Sequence, residues 1–308
     1  MNTVLAPPPV DLARRFAPYA DLREETKAFA DVQDPRFRRK IQYAISPKGR
    51  AGLCNIDAPH SFEVTFLESM PSKGPVLHYH NYPEIFIAMQ GQYSIVWGNH
   101  GEHRVVLEPL DIFSVPPYLM RQVVNTGDCP GISMVLLDDE DPINNIWILQ
   151  RELDRERAEG KVDPRRKGAI GREMSEFQIA RQVAKFADLP ENRGVFPGDE
   201  AAGDPGAVYY AIKPGAHGGT AAITSHHRFA LAYHHTAPGR GSAVRSTDKT
   251  TVLIGMRGRY EVKMGPGLAQ RVELGVRDTL SIPPGMPHQA TAIDGGGSLI
   301  MAIFDLVY

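Results

Sequence analysis

The segment TFLESMPSKGPVLHYHNYPEIFIAMQGQYSIVWG, beginning at Thr65, aligns without a gap on AYHHTAPGRGSAVRSTDKTTVLIGMRGRYEVKMG, beginning at Ala232. Pro71 meets Pro238, Gly74 meets Gly241, Gly91 meets Gly258, Tyr93 meets Tyr260 and Gly98 meets Gly265, a constant offset of 167 positions. The offset continues through Val105 and Val272, Leu107 and Leu274, and Asp111 and Asp278, and ends on Pro116-Pro117 against Pro283-Pro284. One register held through turns and strands alike marks a unit written twice, and such a repeat constrains the fold more than any single motif.

Each unit reads as β. EIFIAMQGQYSIVWG is two apolar, β-branched and aromatic runs broken at Gly91. HRVVLEPLDIFSVPP and QRVELGVRDTLSIPP are short strands stopped by proline, and GISMVLLDD and GSLIMAIFDLVY close the units. Short strands at regular spacing point to an all-β sandwich or barrel, not to βαβ units. NNIWILQRELDRERAEGKV and REMSEFQIARQVAKFADL, between the units, carry helical spacing with mixed charge and are expected to form a helical linker packing the barrels together. YADLREETKAFADV is expected to form one more helix, and PGDEAAGDPG a loop. The expected division is residues 1–140 for an N-terminal arm and first barrel, 141–205 for the linker and 206–308 for the second barrel.

The 308 residues carry a net charge of -2, which argues against a nucleic-acid or anionic-membrane partner. Two cysteines, Cys54 and Cys129, are too few for a disulfide framework and neither has the basic setting of a nucleophile. With no signal-like N-terminus and no span-length apolar run, a cytoplasmic protein is expected.

The richest stretch chemically is HYHNYPE. His78 and His80 are two apart on a strand and therefore share a face, and Glu84 follows where Pro83 interrupts the ladder. Two imidazoles and a carboxylate are the donor set of the facial triad of non-haem iron enzymes, although ligand identity alone does not select the metal. The alternative is a pair of exposed polar residues on an edge strand.

Gly74, His78, His80, Glu84 and Gly91, with Leu110-Asp111, Pro116 and Asn125 downstream, resemble the two motifs of the cupin superfamily, and two copies resemble a bicupin. The resemblance spans roughly residues 55–138 and 222–308. It implies two tandem jelly-roll β-barrels, with His78, His80 and Glu84 as metal ligands in the first. Fe(II) is the expected metal, with Mn(II), Ni(II) or Zn(II) as alternatives. The family's fourth ligand position holds Arg121, which has no lone pair to offer a metal. In the second unit the offset converts His78, His80, Glu84 and Arg121 into Arg245, Thr247, Thr251 and His288, so that barrel is read as metal-free.

Arg121 has two readings: a structural ion pair with Glu84 or Asp111, or a guanidinium projecting into the barrel to bind a substrate carboxylate or enolate and to stabilise a developing anion. The second is preferred and points to an acidic small molecule. Arg121 and Glu84 are the catalytic candidates, and Arg121, Tyr79, Tyr82, Phe113 and Tyr118 the substrate-binding ones, with Trp97 as a further wall. His100 and His103, in a polar turn, and His226, His227, His234 and His235 are expected to be solvated or packing residues. The main expectation is a metal-dependent dioxygenase of the gentisate, hydroxynaphthoate or quercetinase kind, acting on an acidic or hydroxylated aromatic substrate in the first barrel. The alternatives are a metal-dependent lyase, decarboxylase or isomerase in the same site, and a non-enzymatic small-molecule-binding cupin. A homodimer or higher homo-oligomer is expected.

Overall fold

In the computed structural model, residues 9–26, 28–45, 54–137, 146–161, 167–194, 206–212 and 220–307 are described. The chain resolves into two compact units. One is built from residues 23–54 and 62–188, the other from 1–22, 55–61 and 189–308. Part of the expected linker therefore belongs to the first barrel, and part of the N-terminal arm to the second.

Strand β1 (Phe16–Ala17) is followed by β2 (Lys40–Ile45), β3 (Glu63–Ser69), β4 (His78–His80), β5 (Glu84–Gln90), β6 (Tyr93–Trp97), β7 (His103–Leu107), β8 (Ile112–Val115), β9 (Arg121–Asn125) and β10 (Gly131–Leu137). Then come β11 (Ile146–Leu149), α1 (Gln150–Ala158), β12 (Lys167–Ala169), α2 (Glu176–Ala180) and β13 (Val183–Ala184). In the first unit β13-β8-β5-β10-β3-β2 form one sheet and β12-β11-β4-β9-β6-β7 the facing one. Their inner faces bury Tyr43, Phe86, Tyr93, Ile95, Trp97, Phe113 and Val135 in one apolar cluster. This is the two-layer, mainly antiparallel barrel that the regularly spaced short strands predicted.

The second unit repeats much of it: β14 (Glu191–Asn192), β15 (Ala207–Ile212), β16 (Phe229–Thr236), β17 (Thr251–Arg257), β18 (Tyr260–Met264), β19 (Gln270–Leu274), β20 (Thr279–Ile282), β21 (His288–Ala292) and β22 (Ser298–Asp305), with no strand equivalent to β4, β11 or β12 among its described residues. The bounds of β5, β6, β7, β8 and β9 plus 167 give those of β17, β18, β19, β20 and β21. The turns follow suit. Gly91 and Gly258 have φ of 79° and 67°, Gly98 and Gly265 of 98° and 89°, and Leu110 and Arg277 of 77° and 71°. A left-handed residue is cheap as glycine, which is why those two glycine pairs are shared, while Leu110 and Arg277 adopt it against the usual preference.

The repeat reaches further upstream than the aligned segment. β2 and β15 start 167 apart, and so do β1 and β13. β13 adds an edge to the first barrel, Val183 opposite Phe113, and β1 adds the same edge to the second, Phe16 opposite Leu280. Phe186 N–H donates to Asp111 at 3.0 Å, and Tyr19 N–H to Asp278 at 2.8 Å. Each barrel's edge is thus closed by the segment that precedes the other barrel in sequence.

The helical expectations are corrected accordingly. IWIL is strand β11, paired to β4 with Trp147 opposite Tyr79, because the segment gains ladder bonds beside an open strand while Ile148 and Leu149 are buried. Helix α1 begins only at Gln150, and α2 covers five residues closed by a Ser175–Gln178 capping box. YADLREETKAFADV forms 3-10 turns at Tyr19–Asp21 and Ala30–Gln33 in place of a helix. Asp31 is buried there, bonded to Val76 N–H at 3.1 Å and to Arg39, and these tertiary bonds outweigh helix propensity. Within PGDEAAGDPG, residues 197–205 lie outside the described residues.

Gly74 sits where β9 passes closest. A Cβ on it would lie 1.7 Å from the Val123 carbonyl oxygen. Backbone, unlike a side chain, cannot rotate aside, so Gly74→Ala is expected to destabilise the protein by about 1–3 kcal/mol or more. Denaturant titration checks this, and an unshifted midpoint would show that β9 can move.

Candidate functional site

Strands β4 and β9 meet at a single pair, His78 opposite Arg121. That pair brings the HxH motif and the fourth-ligand position together in the barrel centre. His78, His80 and Glu84 are 9%, 5% and 5% exposed, which excludes the wet edge-strand alternative. With Arg39, Tyr43, Glu63 and Phe86 they line a cavity of about 50 Å³.

Arg121 is 1% exposed. One arm of its guanidinium donates to the Glu84 carboxylate and the other to the His78 carbonyl oxygen at 2.9 Å. Of the two ion-pair partners considered for it, the structure selects Glu84. Asp111 instead holds its own turn, accepting from Glu108 N–H at 2.9 Å and from Lys185. Burial pushes the Glu84 carboxyl above the usual carboxylate range, and the Arg121 and then the Arg39 charges restrain that rise. His80 Nε2 lies 3.9 Å from Glu84 Oε2. His80 Nδ1 shares a 3.0 Å hydrogen bond with the Tyr82 hydroxyl, and the two rings stack. His78 Nδ1–H donates to the Val76 carbonyl at 2.6 Å, which leaves its Nε2 as the lone-pair nitrogen.

The imidazoles are oriented as metal ligands would be, but the set as arranged does not fit a resident metal. The carboxylate is committed to a guanidinium, and a divalent ion beside a buried fixed cation is repelled. Among the described residues, no group of three or more His, Cys, Asp or Glu is placed to hold a metal ion.

The remaining site candidates divide by strand face. Tyr79 points away from its histidine neighbours, stacking on Trp147 at 5.3 Å and meeting Tyr118 edge-on at 5.8 Å. Tyr118 is 49% exposed, and Phe113 lies in the core. None of the three lines the cavity, so of the four expected aromatic contacts only Tyr82 touches the constellation, through His80. Trp97 is a core residue stacked on His103, which is within 3.6 Å of Glu176, and His100 faces Arg151. Cys54 and Cys129 are free thiols.

Sequence reading missed Arg39 and Asp31, a buried ion pair at 3.2 Å on the cavity wall. It also missed Glu63, which accepts from the Thr65 hydroxyl at 2.6 Å. Arg39 and Asp31 come from the segment expected to be an arm. Glu63 could have been noticed as a charge opening an otherwise apolar strand.

Residues 75–158 match the family model described as "Cupin". A search of curated protein sequences finds no match. Among solved structures, the oxalate decarboxylase of Lactobacillus farciminis in a formate complex superposes with a TM-score of 0.61 at 13% identity, covering 94% of this chain and 86% of that one. The oxalate decarboxylase of Bacillus subtilis at pH 4.6 gives 0.63 at 11%, covering 96% and 77%. AerE from Microcystis aeruginosa gives 0.56 at 10%, covering 94% and 98%.

By fold, this chain is a bicupin.

The likeness at these identities is one of fold. A further similar structure comes from a study of Mn(II) centres in the Bacillus subtilis oxalate decarboxylase. No helix among the described residues of this bicupin is long and apolar enough to cross a membrane.

Removing one member of a buried ion pair strands the other. Arg121→Leu is expected to cost about 3–5 kcal/mol, with much of that recovered when Glu84→Leu is added. A double-mutant cycle by chemical denaturation checks the coupling; additive losses would mean the two do not act as a pair. Metal analysis gives a second check. Protein prepared without chelators is expected to hold far less than one equivalent, and Arg121→His to raise it. Stoichiometric metal in the unmodified protein would show that Glu84 leaves the guanidinium for an ion.

Proposed function

We propose that this bicupin acts on a small carboxylic acid by non-oxidative chemistry, as a lyase, decarboxylase or isomerase, in its N-terminal barrel. The Arg121–Glu84 contact, with Glu84 on the wall of the N-terminal cavity, carries the reading. A buried guanidinium is a ready partner for a substrate carboxylate and for negative charge that develops as a bond breaks. Glu84, pushed up by burial, is placed to hold a proton and hand it on, and His80 is the nearest group to relay it. Apolar Phe86, Leu67 and Val135 form one wall of the space, which strengthens both effects there. A cavity of about 50 Å³ accepts only a few heavy atoms beyond the carboxylate.

In a decarboxylation, the carbon–carbon bond to the carboxylate breaks, carbon dioxide leaves, and the electron pair left on carbon takes the Glu84 proton. In an isomerisation, Glu84 starts as the carboxylate, removes a proton from one carbon and returns it to another. The oxalate decarboxylases among the similar structures agree in reaction class with this reading. They do not favour the dioxygenase expectation or its iron, since the metal named for one of them is Mn(II).

A panel of two- to six-carbon carboxylic and keto acids, followed by NMR with and without air, tests the proposal. Turnover is expected to be equal in both conditions, with no oxygen uptake. Arg121→Lys, which keeps the charge but not the fork, is expected to lower kcat/KM by about 10²-fold. Turnover that requires air would return the oxygenase reading.

A further inference from the structure

The barrel read as degenerate holds the larger cavity. Its volume is about 290 Å³, at the lower edge of the usual range for small-molecule sites, against about 50 Å³ in the first barrel. The two cavities correspond by position. Arg39, Phe86 and Val135 on the first wall become Gly206, Leu253 and Ala302 here, and each replacement is smaller. Leu253, Ile300, Ala302 and Phe304 line the space, and none is more than 8% exposed. A hydrocarbon wall of this kind is poorly solvated by water and well complemented by hydrocarbon.

The centre of the space is set by the strand pair that also sets the first site. Arg245 and His288 exchange backbone hydrogen bonds at 2.8 Å each way, facing each other where His78 faces Arg121. His288 is 6% exposed, and its Nδ1–H donates to the Met286 carbonyl at 3.1 Å. That bond turns Nδ1 back to the backbone and presents Nε2 to the cavity that the ring lines. Burial, with the Arg245 charge added, pushes the imidazole below the usual histidine range against the pull of the Met286 bond. The neutral ring therefore carries its lone pair on Nε2, which no described residue bonds.

The hydroxyls nearby are acceptors too. Thr251 occupies the place of Glu84. Thr247 Oγ1 donates to the Lys249 carbonyl at 2.6 Å, so it accepts in its 3.2 Å contact with Thr251. Both threonine protons are thereby used, and the two oxygens can only accept more. The Tyr260 hydroxyl, on the same lining, donates to the Ser298 carbonyl at 2.8 Å. Arg245 is turned to His234, whose Nδ1 accepts from it at 3.2 Å.

We propose that the C-terminal barrel is a second binding site, for a small neutral molecule with an apolar body and one hydroxyl, which donates to His288 Nε2. The body lies along the Leu253, Ile300 and Phe304 wall. The hydroxyl sits between His288 and Thr251, the positions whose counterparts Arg121 and Glu84 meet in the first barrel. A buried lone pair without a donor costs free energy, and a ligand hydroxyl removes that cost while its hydrocarbon leaves water. The site uses residues of the second compact unit only, so it stands whatever reaction the first barrel performs.

Calorimetric titration of the full chain with para-cresol, cyclohexanol, acetophenone and benzoate tests it. Para-cresol and cyclohexanol are expected to bind at one site per chain. Acetophenone is close to para-cresol in size and hydrophobicity but has no proton to donate. It is expected to bind about tenfold more weakly, because it leaves the His288 lone pair unmet. Leu253→Phe, which restores the bulk that the first barrel carries there, is expected to weaken para-cresol binding by about tenfold or more. His288→Phe keeps a ring at the position without the lone pair, and is expected to make para-cresol and acetophenone bind alike. No binding of para-cresol below about 10 mM overturns the proposal. So does equal affinity for para-cresol and acetophenone on the unmodified protein, a comparison that needs no variant to fold. Tighter binding of benzoate than of para-cresol overturns it as well, and binding that Leu253→Phe leaves unchanged would place the site outside this cavity and overturn it equally.

Discussion

A guanidinium at the centre of a β-barrel must be met by negative charge, because the strands around it offer mainly carbonyl oxygens and hydrocarbon. The first barrel meets the demand internally. Arg121 donates to Glu84 and to the His78 carbonyl, and the residues around that fork close to a cavity of about 50 Å³. The commitment of Glu84 follows from it, while the Val76 carbonyl and the Tyr82 hydroxyl orient His78 and His80. The second barrel places its arginine on the opposite strand, has Thr251 where the carboxylate would be, and opens to about 290 Å³. One scaffold thus presents a centre where an arginine faces a glutamate and one where the equivalent place holds a threonine.

The scaffold tolerates this divergence because its frame is held elsewhere. The equivalent turns keep their left-handed residues, and Asp111 and Asp278 each tie a turn to an incoming edge segment. Those segments are exchanged in sequence: β13, before the second barrel, closes the first, and β1, before the first, closes the second. An edge strand left open invites pairing with another chain, so the exchange also protects each sheet.

Much of the architecture is legible locally. Short β-branched and aromatic runs, the shared turn glycines and the 167-residue register mark two β units, and HxHxxxE marks the face on which the donors gather. The repeat can be followed further still. RRFAPYADL, from Arg14, and RQVAKFADL, from Arg181, share Ala17 with Ala184 and the run Ala-Asp-Leu at the same offset, which places both in the repeat. Their charges and spacing imitate a helix, and IWIL merges into a helical pattern for the same reason. Periodicity over so few residues does not separate a helix from an edge strand whose partner is distant in sequence.

By itself, the sequence determined that the chain is two copies of one β-barrel and that His78 and His80 share a strand face, because strand period and turn conformation are local properties of the backbone. Only the tertiary structure decided that Arg121 takes Glu84 rather than Asp111, that Tyr79, Phe113 and Tyr118 turn away from the cavity, and that Arg39 and Asp31 form its wall. Those outcomes depend on which strands pair and on how side-chain volumes from distant segments fill a shared interior. The replacements of Arg39, Phe86 and Val135 by Gly206, Leu253 and Ala302 can be read in the aligned repeats, but that they surround one space is a fact of packing alone.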